Sequence, residues 1–281
     1  MYKNSLLTLK RKLFLLLIAL LSFQGTYAYA ISNTNDIKEV GIDEKLGSVV
    51  SPDIDFVNQN GEQVKLGSYL GEKPVVINML YFSCPRVCTF ALEGSLEVIN
   101  ETDGLELEED YQFLSISFNP EENHLIAAEK SDKYLKGVKD IQKDGWAFLT
   151  TDSENIKKLT GSLGYNFKKD GDEFAHPSLL VVLSPDGKIS RYLYGIQHDP
   201  RNFKLALIES SDGRIGDSSL ANKVLLFCYE FDPIGKRYAL KALNIVKAGG
   251  MVTLLALSGF LAFFWVREKG HTNNRDGGFK N

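Results

Sequence analysis

An α/β sheet with helices on both faces is predicted for residues 45–212 by three observations. Residues 74–82 (PVVINMLYF) form a near-continuous apolar run, the pattern of a central strand buried on both faces. Strand-like and helix-like segments alternate after it. Near the end, residues 178–183 and 189–194 flank Ser184-Pro185-Asp186-Gly187, where a proline that fixes φ and a glycine that frees it close a hairpin.

The elements follow in order. Residues 54–57 and 63–66 are short β-favouring runs around Asn58-Gln59-Asn60-Gly61 and predict an N-terminal hairpin. After the central strand, residues 89–101 show helical spacing, with Phe90, Leu92, Leu96, Val98 and Ile99 on the apolar face. Residues 112–118 (QFLSISF) are the next strand, and residues 120–136 the next helix, with Pro120 at its first position. A short strand over 146–149 precedes a helix over 153–163, opened by Asp152 or Ser153 as cap. The late hairpin is followed by a helix over 202–210.

With 281 residues and 44% hydrophobic content, the chain can bury the core of one medium domain plus accessories, which excludes a disordered tail. Its 24 glycines and 8 prolines follow no period, which excludes collagen-like classes. Three cysteines are too few for a disulfide-built miniprotein and leave one pair plus one.

Both ends carry targeting signals. Lys3, Lys10, Arg11 and Lys12 precede the apolar run 13–23, and Ala28-Tyr29-Ala30 follows at a cleavage distance, so residues 1–30 read as a signal peptide and 31–44 as a linker. Those first 30 residues hold four basic and no acidic side chains, and their removal takes the formal charge from −4 to −8. An acidic exported product argues against nucleic acid as a partner. Residues 248–266 run 19 positions without a charge. As a helix they extend about 28 Å, close to the hydrocarbon thickness of a bilayer. Trp265, Arg267 and Lys269 mark an interface edge. The expected organisation is therefore a domain over 45–212, a juxtamembrane linker over 213–244, a transmembrane helix over 245–266 and a tail over 267–281. Basic residues flank both sides of the span, so the signal peptide sets the orientation. The tail is cytoplasmic, and the soluble domain lies on the periplasmic or extracytoplasmic face of the cytoplasmic membrane.

The chemistry sits where the buried strand ends, at Tyr81-Phe82-Ser83-Cys84-Pro85-Arg86-Val87-Cys88. Cysteines four apart at a helix start face the same way, so the two sulfurs can chelate one ion or close a disulfide. The helix dipole and Arg86 both favour the thiolate of Cys84, a nucleophile and a soft metal ligand. A structural disulfide is the plain alternative for an exported pair, although a bridge closing so few residues constrains the unfolded chain little.

This segment resembles the motif of the Sco/SenC family, copper-handling proteins of cytochrome c oxidase assembly with a thioredoxin-like fold. In that family a C-x-x-x-C motif follows the first long strand and is joined by a histidine just before the late hairpin. His176 stands in that place, in Asp172-Glu173-Phe174-Ala175-His176-Pro177-Ser178-Leu179. Ser115-Ile116-Ser117-Phe118-Asn119-Pro120-Glu121 resembles the family's strand ending in Asp-Pro-Glu, with Asn119 in place of the aspartate. With Asn119 the position has no carboxylate to serve a role such as partner docking. The resemblance covers roughly residues 45–212 and implies a thioredoxin-like fold with the ligand set Cys84, Cys88 and His176. Two thiolates and an imidazole suit Cu(I), and with an added ligand can hold Cu(II), whereas zinc wants a fourth ligand.

Two functions follow. One is a membrane-anchored copper chaperone, a binding and transfer protein rather than an enzyme, that delivers copper to the copper-binding subunit of a respiratory cytochrome oxidase. The other is a thiol:disulfide oxidoreductase in which Cys84 and Cys88 form the redox pair. Either requires a thiol reductant or a copper donor as a further partner. His124, His198 and His271 read as solvated histidines. Cys228 reads either as a thiol near the membrane or as a small apolar residue within 224–229.

Overall fold

A computed structural model describes residues 40–84, 87–139, 143–212 and 219–273 of the chain, without the side chains of 87–88, 143, 219–223, 242, 262 and 264–273. The expected signal peptide, most of the 31–44 linker, Pro85, Arg86 and the end of the tail lie outside the described residues.

In chain order the elements are β1 (Gly41–Ile42), β2 (Asp55–Asn58), β3 (Gln63–Lys65), β4 (Val75–Leu80), α1 (Val87–Glu101), β5 (Gln112–Ser117), α2 (His124–Leu135), β6 (Trp146–Thr150) and α3 (Ser153–Leu163). There follow β7 (Tyr165–Asn166), β8 (Lys168–Asp170), β9 (Glu173–Ala175), β10 (Leu179–Leu183), β11 (Ile189–Tyr194), α4 (Pro200–Ser210), α5 (Ser219–Cys228), β12 (Tyr229–Asp232), β13 (Arg237–Leu240) and α6 (Ala242–Asn273). A seven-stranded sheet runs β11-β10-β4-β5-β6-β2-β3. Its centre, β4-β5-β6, is parallel, and antiparallel hairpins flank it on both sides. The apolar run thus becomes the central strand β4, buried at all six positions. This is the mixed α/β, thioredoxin-like architecture that the sequence predicts.

Alternation along β5 builds both layers of the core. Phe113 and Ser115 face one side, where Phe113 meets Trp146 at 5.4 Å and Phe203 of α4 at 6.5 Å, and Trp146 Nε1 donates to Ser115 Oγ at 2.9 Å. The buried amide of Asn78 on β4 reaches the same side, donating to Ser95 Oγ of α1 at 2.9 Å. Phe118, just past β5, faces the other side and meets Tyr165 and Phe167 at 5.8 and 4.6 Å. α3 belongs to that second layer, because Tyr192 on β11 donates to Leu163 O at 2.9 Å. The helix ends on Gly164 at φ +64°, where a side chain would strike the carbonyl of Asp43, and Asp43 N donates to Gly164 O at 2.9 Å. This close approach pairs β1 with β7.

The caps settle two boundaries. Asp152, not Ser153, caps α3 by accepting from Asn155 N at 2.9 Å. The second helix starts at His124 rather than Pro120, with Asn123 as its cap. The reason is a turn over 119–122: Asn119 Oδ1 accepts from Glu121 N at 3.1 Å and Asn119 O from Glu122 N at 3.2 Å.

Residues 213–244, expected as a linker, contain α5 and the β12–β13 hairpin. The hairpin is docked on the domain. Glu209 of α4 accepts from both Tyr238 Oη and Arg191 Nη2, and the Arg191 guanidinium lies 5.1 Å from the Phe231 ring. Tyr238 N also donates to Asn202 Oδ1 at 3.1 Å. Burial, reinforced by Glu209, pushes the Tyr238 phenol well above its usual value. Helix α6 follows at once. Over Leu243–Leu261 it is the one helix among the described residues long and apolar enough to cross a membrane, and none of that stretch is buried.

Candidate metal and thiol site

The site lies at the carboxyl ends of the parallel strands, the usual place for a binding site in an open α/β sheet. Leu80 closes β4, and its carbonyl accepts from Phe118 N at 2.9 Å, so β4 and β5 stay paired to their last residues. The chain then turns through Tyr81, Phe82 and Ser83 to Cys84, whose N–H reaches back to Tyr81 O at 3.4 Å. Cys84 is buried, 8% exposed. Cys88 lies in the first turn of α1, and its side chain is outside the described residues, as is Arg86. The Asn78–Ser95 hydrogen bond, with Ser95 Oγ donating on to Ala91 O at 2.8 Å, ties this helix to the strand before it.

One carboxylate holds the cysteine loop. Glu122 Oε1 accepts from Ser83 N at 2.7 Å and Ser83 Oγ at 2.6 Å, and its Oε2 accepts from Phe82 N at 2.8 Å and Ser117 Oγ at 2.6 Å.

His176 arrives from the opposite direction in the chain. β10 runs antiparallel to β4 with Leu180 opposite Asn78, so the residues just before β10 come alongside those just after β4. The imidazole stands edge-on to Tyr81, ring centroids 5.9 Å apart, and to Phe118 at 5.1 Å. Tyr165 Oη donates to Pro177 O at 2.8 Å and lies 3.0 Å from His176 Nδ1, which is also 3.0 Å from Pro177 O. A phenol that donates to the carbonyl turns a lone pair to Nδ1, so Nδ1 carries the proton and Nε2 keeps its lone pair. Burial holds His176 below the ordinary value of 6.5, opposed by the Pro177 carbonyl, so the ring is neutral at pH 7. A neutral imidazole with its second nitrogen anchored in this way is the form that binds a soft metal ion.

The β8–β9 hairpin, which the sequence did not announce, walls the histidine with aromatic rings. Phe174 sits 5.2 Å from Tyr81 and 5.6 Å from Phe118, and Phe167 completes the group at 5.9 Å from Phe174. Cys84 and His176 are thus brought to one end of the sheet around Tyr81. Among the described residues no group of three His, Cys, Asp or Glu side chains is assembled for a metal ion, the side chain of Cys88 being outside that set.

The remaining candidates lie elsewhere. His124 opens α2 and packs beside Gly61, and the side chain of His271 is outside the described residues. His198, read from the sequence as a solvated histidine, is half-buried just before α4, and burial lowers it to about 4. Cys228 ends α5, half-buried. Asn119 serves the 119–122 turn.

Comparison with known proteins names the family. Residues 43–208 match the SCO1/SenC family model. The chain belongs to the SCO1/SenC family. Among solved structures, a protein of Aquifex aeolicus VF5 proposed to act in electron transfer is 27% identical, with TM-score 0.55, over 60% of this chain and 95% of that one. A second Aquifex aeolicus VF5 structure, proposed to act in electron transport, is 25% identical with TM-score 0.51, over 60% of this chain and 99% of that one. ScoI of Bradyrhizobium japonicum, solved with copper bound, is 25% identical with TM-score 0.44, over 58% of this chain and 98% of that one. No curated protein matches the chain.

Proposed function

We propose that this SCO1/SenC protein is a copper chaperone, anchored in the cytoplasmic membrane by α6, that takes copper as cargo on Cys84, Cys88 and His176. It hands the copper to the copper-binding subunit of a respiratory cytochrome oxidase on the extracytoplasmic side. The observation that carries this reading is His176: its Nδ1 is tied to Tyr165 and Pro177, which fixes the orientation of the imidazole beside Tyr81 and the cysteine loop. Two thiolates and a neutral imidazole are a soft donor set suited to Cu(I), and the aromatic wall around Tyr81 and Phe118 keeps one side of the site dry. The chain's own residues bind and orient, and transfer follows when ligands of the recipient replace these three.

A second reading is favoured by the Aquifex relatives proposed for electron transfer and by a cysteine pair at a helix start. In it Cys84 attacks a client disulfide and Cys88 resolves the mixed disulfide, giving a reduced client and a Cys84–Cys88 disulfide. The deciding experiment is a Cu(I) titration of the reduced full chain in detergent against a competing chelator, with His176→Ala beside it. One tightly held copper, loosened in the variant, supports the chaperone. No competitive binding with normal dithiol cycling supports the oxidoreductase.

A further inference from the structure

The cysteine loop and the histidine loop meet a third segment, residues 117–122, and we propose that Glu122 within it is the positioning residue for Cys84. The inference rests on the copper and thiol reading of the site. Glu122 is neither a donor to the cargo nor part of the cysteine motif. Its carboxylate is used in full on the loop: two donors reach each oxygen, three of the four come from Phe82 and Ser83, and the fourth comes from Ser117 at the end of β5. Successive main-chain N–H groups aimed at one anion form a rigid cradle, and here the cradle is the backbone immediately before Cys84.

The chain forgoes regular structure to make this contact. A helix beginning at Pro120 would carry Glu122 away in its first turn. Instead residues 119–122 fold as a turn closed on Asn119, helix α2 waits for Asn123, and Glu122 points back to the loop. The same segment reaches the histidine side. Phe118 meets the His176 ring edge-on, centroids 5.1 Å apart. Residues 117–122 therefore set where Cys84 stands relative to His176, with Glu122 as the point of attachment.

The test uses the reduced full chain in detergent and compares Glu122→Gln, Ser83→Ala and Glu121→Gln with the parent. Two quantities are read: the rate of iodoacetamide alkylation at Cys84, located by peptide mass, and Cu(I) affinity by chelator competition, with thermal unfolding as the check on folding. Glutamine keeps the size but turns an N–H₂ toward N–H donors. Glu122→Gln is expected to speed Cys84 alkylation about tenfold as the loop opens. It should also weaken Cu(I) binding by about 10- to 100-fold, the usual cost of losing a residue that orients a ligand. Ser83→Ala should move both quantities less and in the same direction, and Glu121→Gln should leave both unchanged. A folded Glu122→Gln protein with parental alkylation and affinity overturns the proposal. If that variant does not fold, unchanged alkylation in Ser83→Ala overturns it. If the parent takes up no Cu(I), the copper reading fails, while the alkylation comparison still decides the role of Glu122.

Discussion

His176 owes its chemistry to Tyr165. The phenol is buried and fixes Nδ1, so Tyr165→Phe removes the hydrogen bond while keeping the ring that packs on Phe118. The variant should stay folded, losing about 1 kcal/mol of stability. Its Cu(I) affinity should fall about tenfold in a competition titration, because the imidazole is freer to rotate. His198 makes a different statement. Its value in the fold is about 4 against an ordinary 6.5, so the fold prefers the neutral ring. The unfolded chain takes up the proton first. Stability contributed above pH 6.5 is therefore lost progressively as pH falls from about 6.5 to about 4, up to about 3 kcal/mol in all. Chemical denaturation at pH 7, 5.5 and 4.5 should show this decline in the parent and a shallower one in His198→Phe.

At the scale of elements, α1 is placed by contacts at both its faces. The Asn78–Ser95 bond holds it to β4, and Gly94 lets the carbonyl of Ile196 approach its backbone so closely that any side chain would overlap it. Gly94→Ala should cost about 1–3 kcal/mol, measured as a lower midpoint of chemical unfolding, since backbone on both sides leaves little room to yield. Asp152→Ala, which removes the cap of α3, should cost about 1 kcal/mol in the same measurement. The sheet and its main helices were legible in the sequence, because each carries its own periodicity, cap or turn residues. The β8–β9 hairpin was not, since Lys168–Asp170 and Glu173–Ala175 are short and polar and are held by the rings of Phe167 and Phe174 packing on Phe118. In the site, Cys84 and His176 were legible through motif and family resemblance. Glu122 was not, because a glutamate in a polar turn has no local signature until the fold brings β4 and β5 together above it.

At the scale of the whole molecule, the stretch after α4 decides how the domain and α6 are joined. Deleting residues 242–281 should release the domain from membranes into the soluble fraction, and a shortened protein that still sediments with them would refute α6 as the anchor. Tyr238→Phe takes one donor from Glu209 and should expose the β12–β13 hairpin to limited proteolysis at protease levels the parent withstands. Lys241 alone separates β13 from α6, and the hairpin is fastened to Glu209, Arg191 and Asn202. With α6 in a bilayer, such a joint gives the domain a fixed stand-off and a fixed bearing rather than the free swing of a flexible tether. Under the proposed chaperone reading, a recipient in the same membrane would meet the domain by lateral diffusion in two dimensions, and only one that presented its acceptor at the matching height would complete the hand-over.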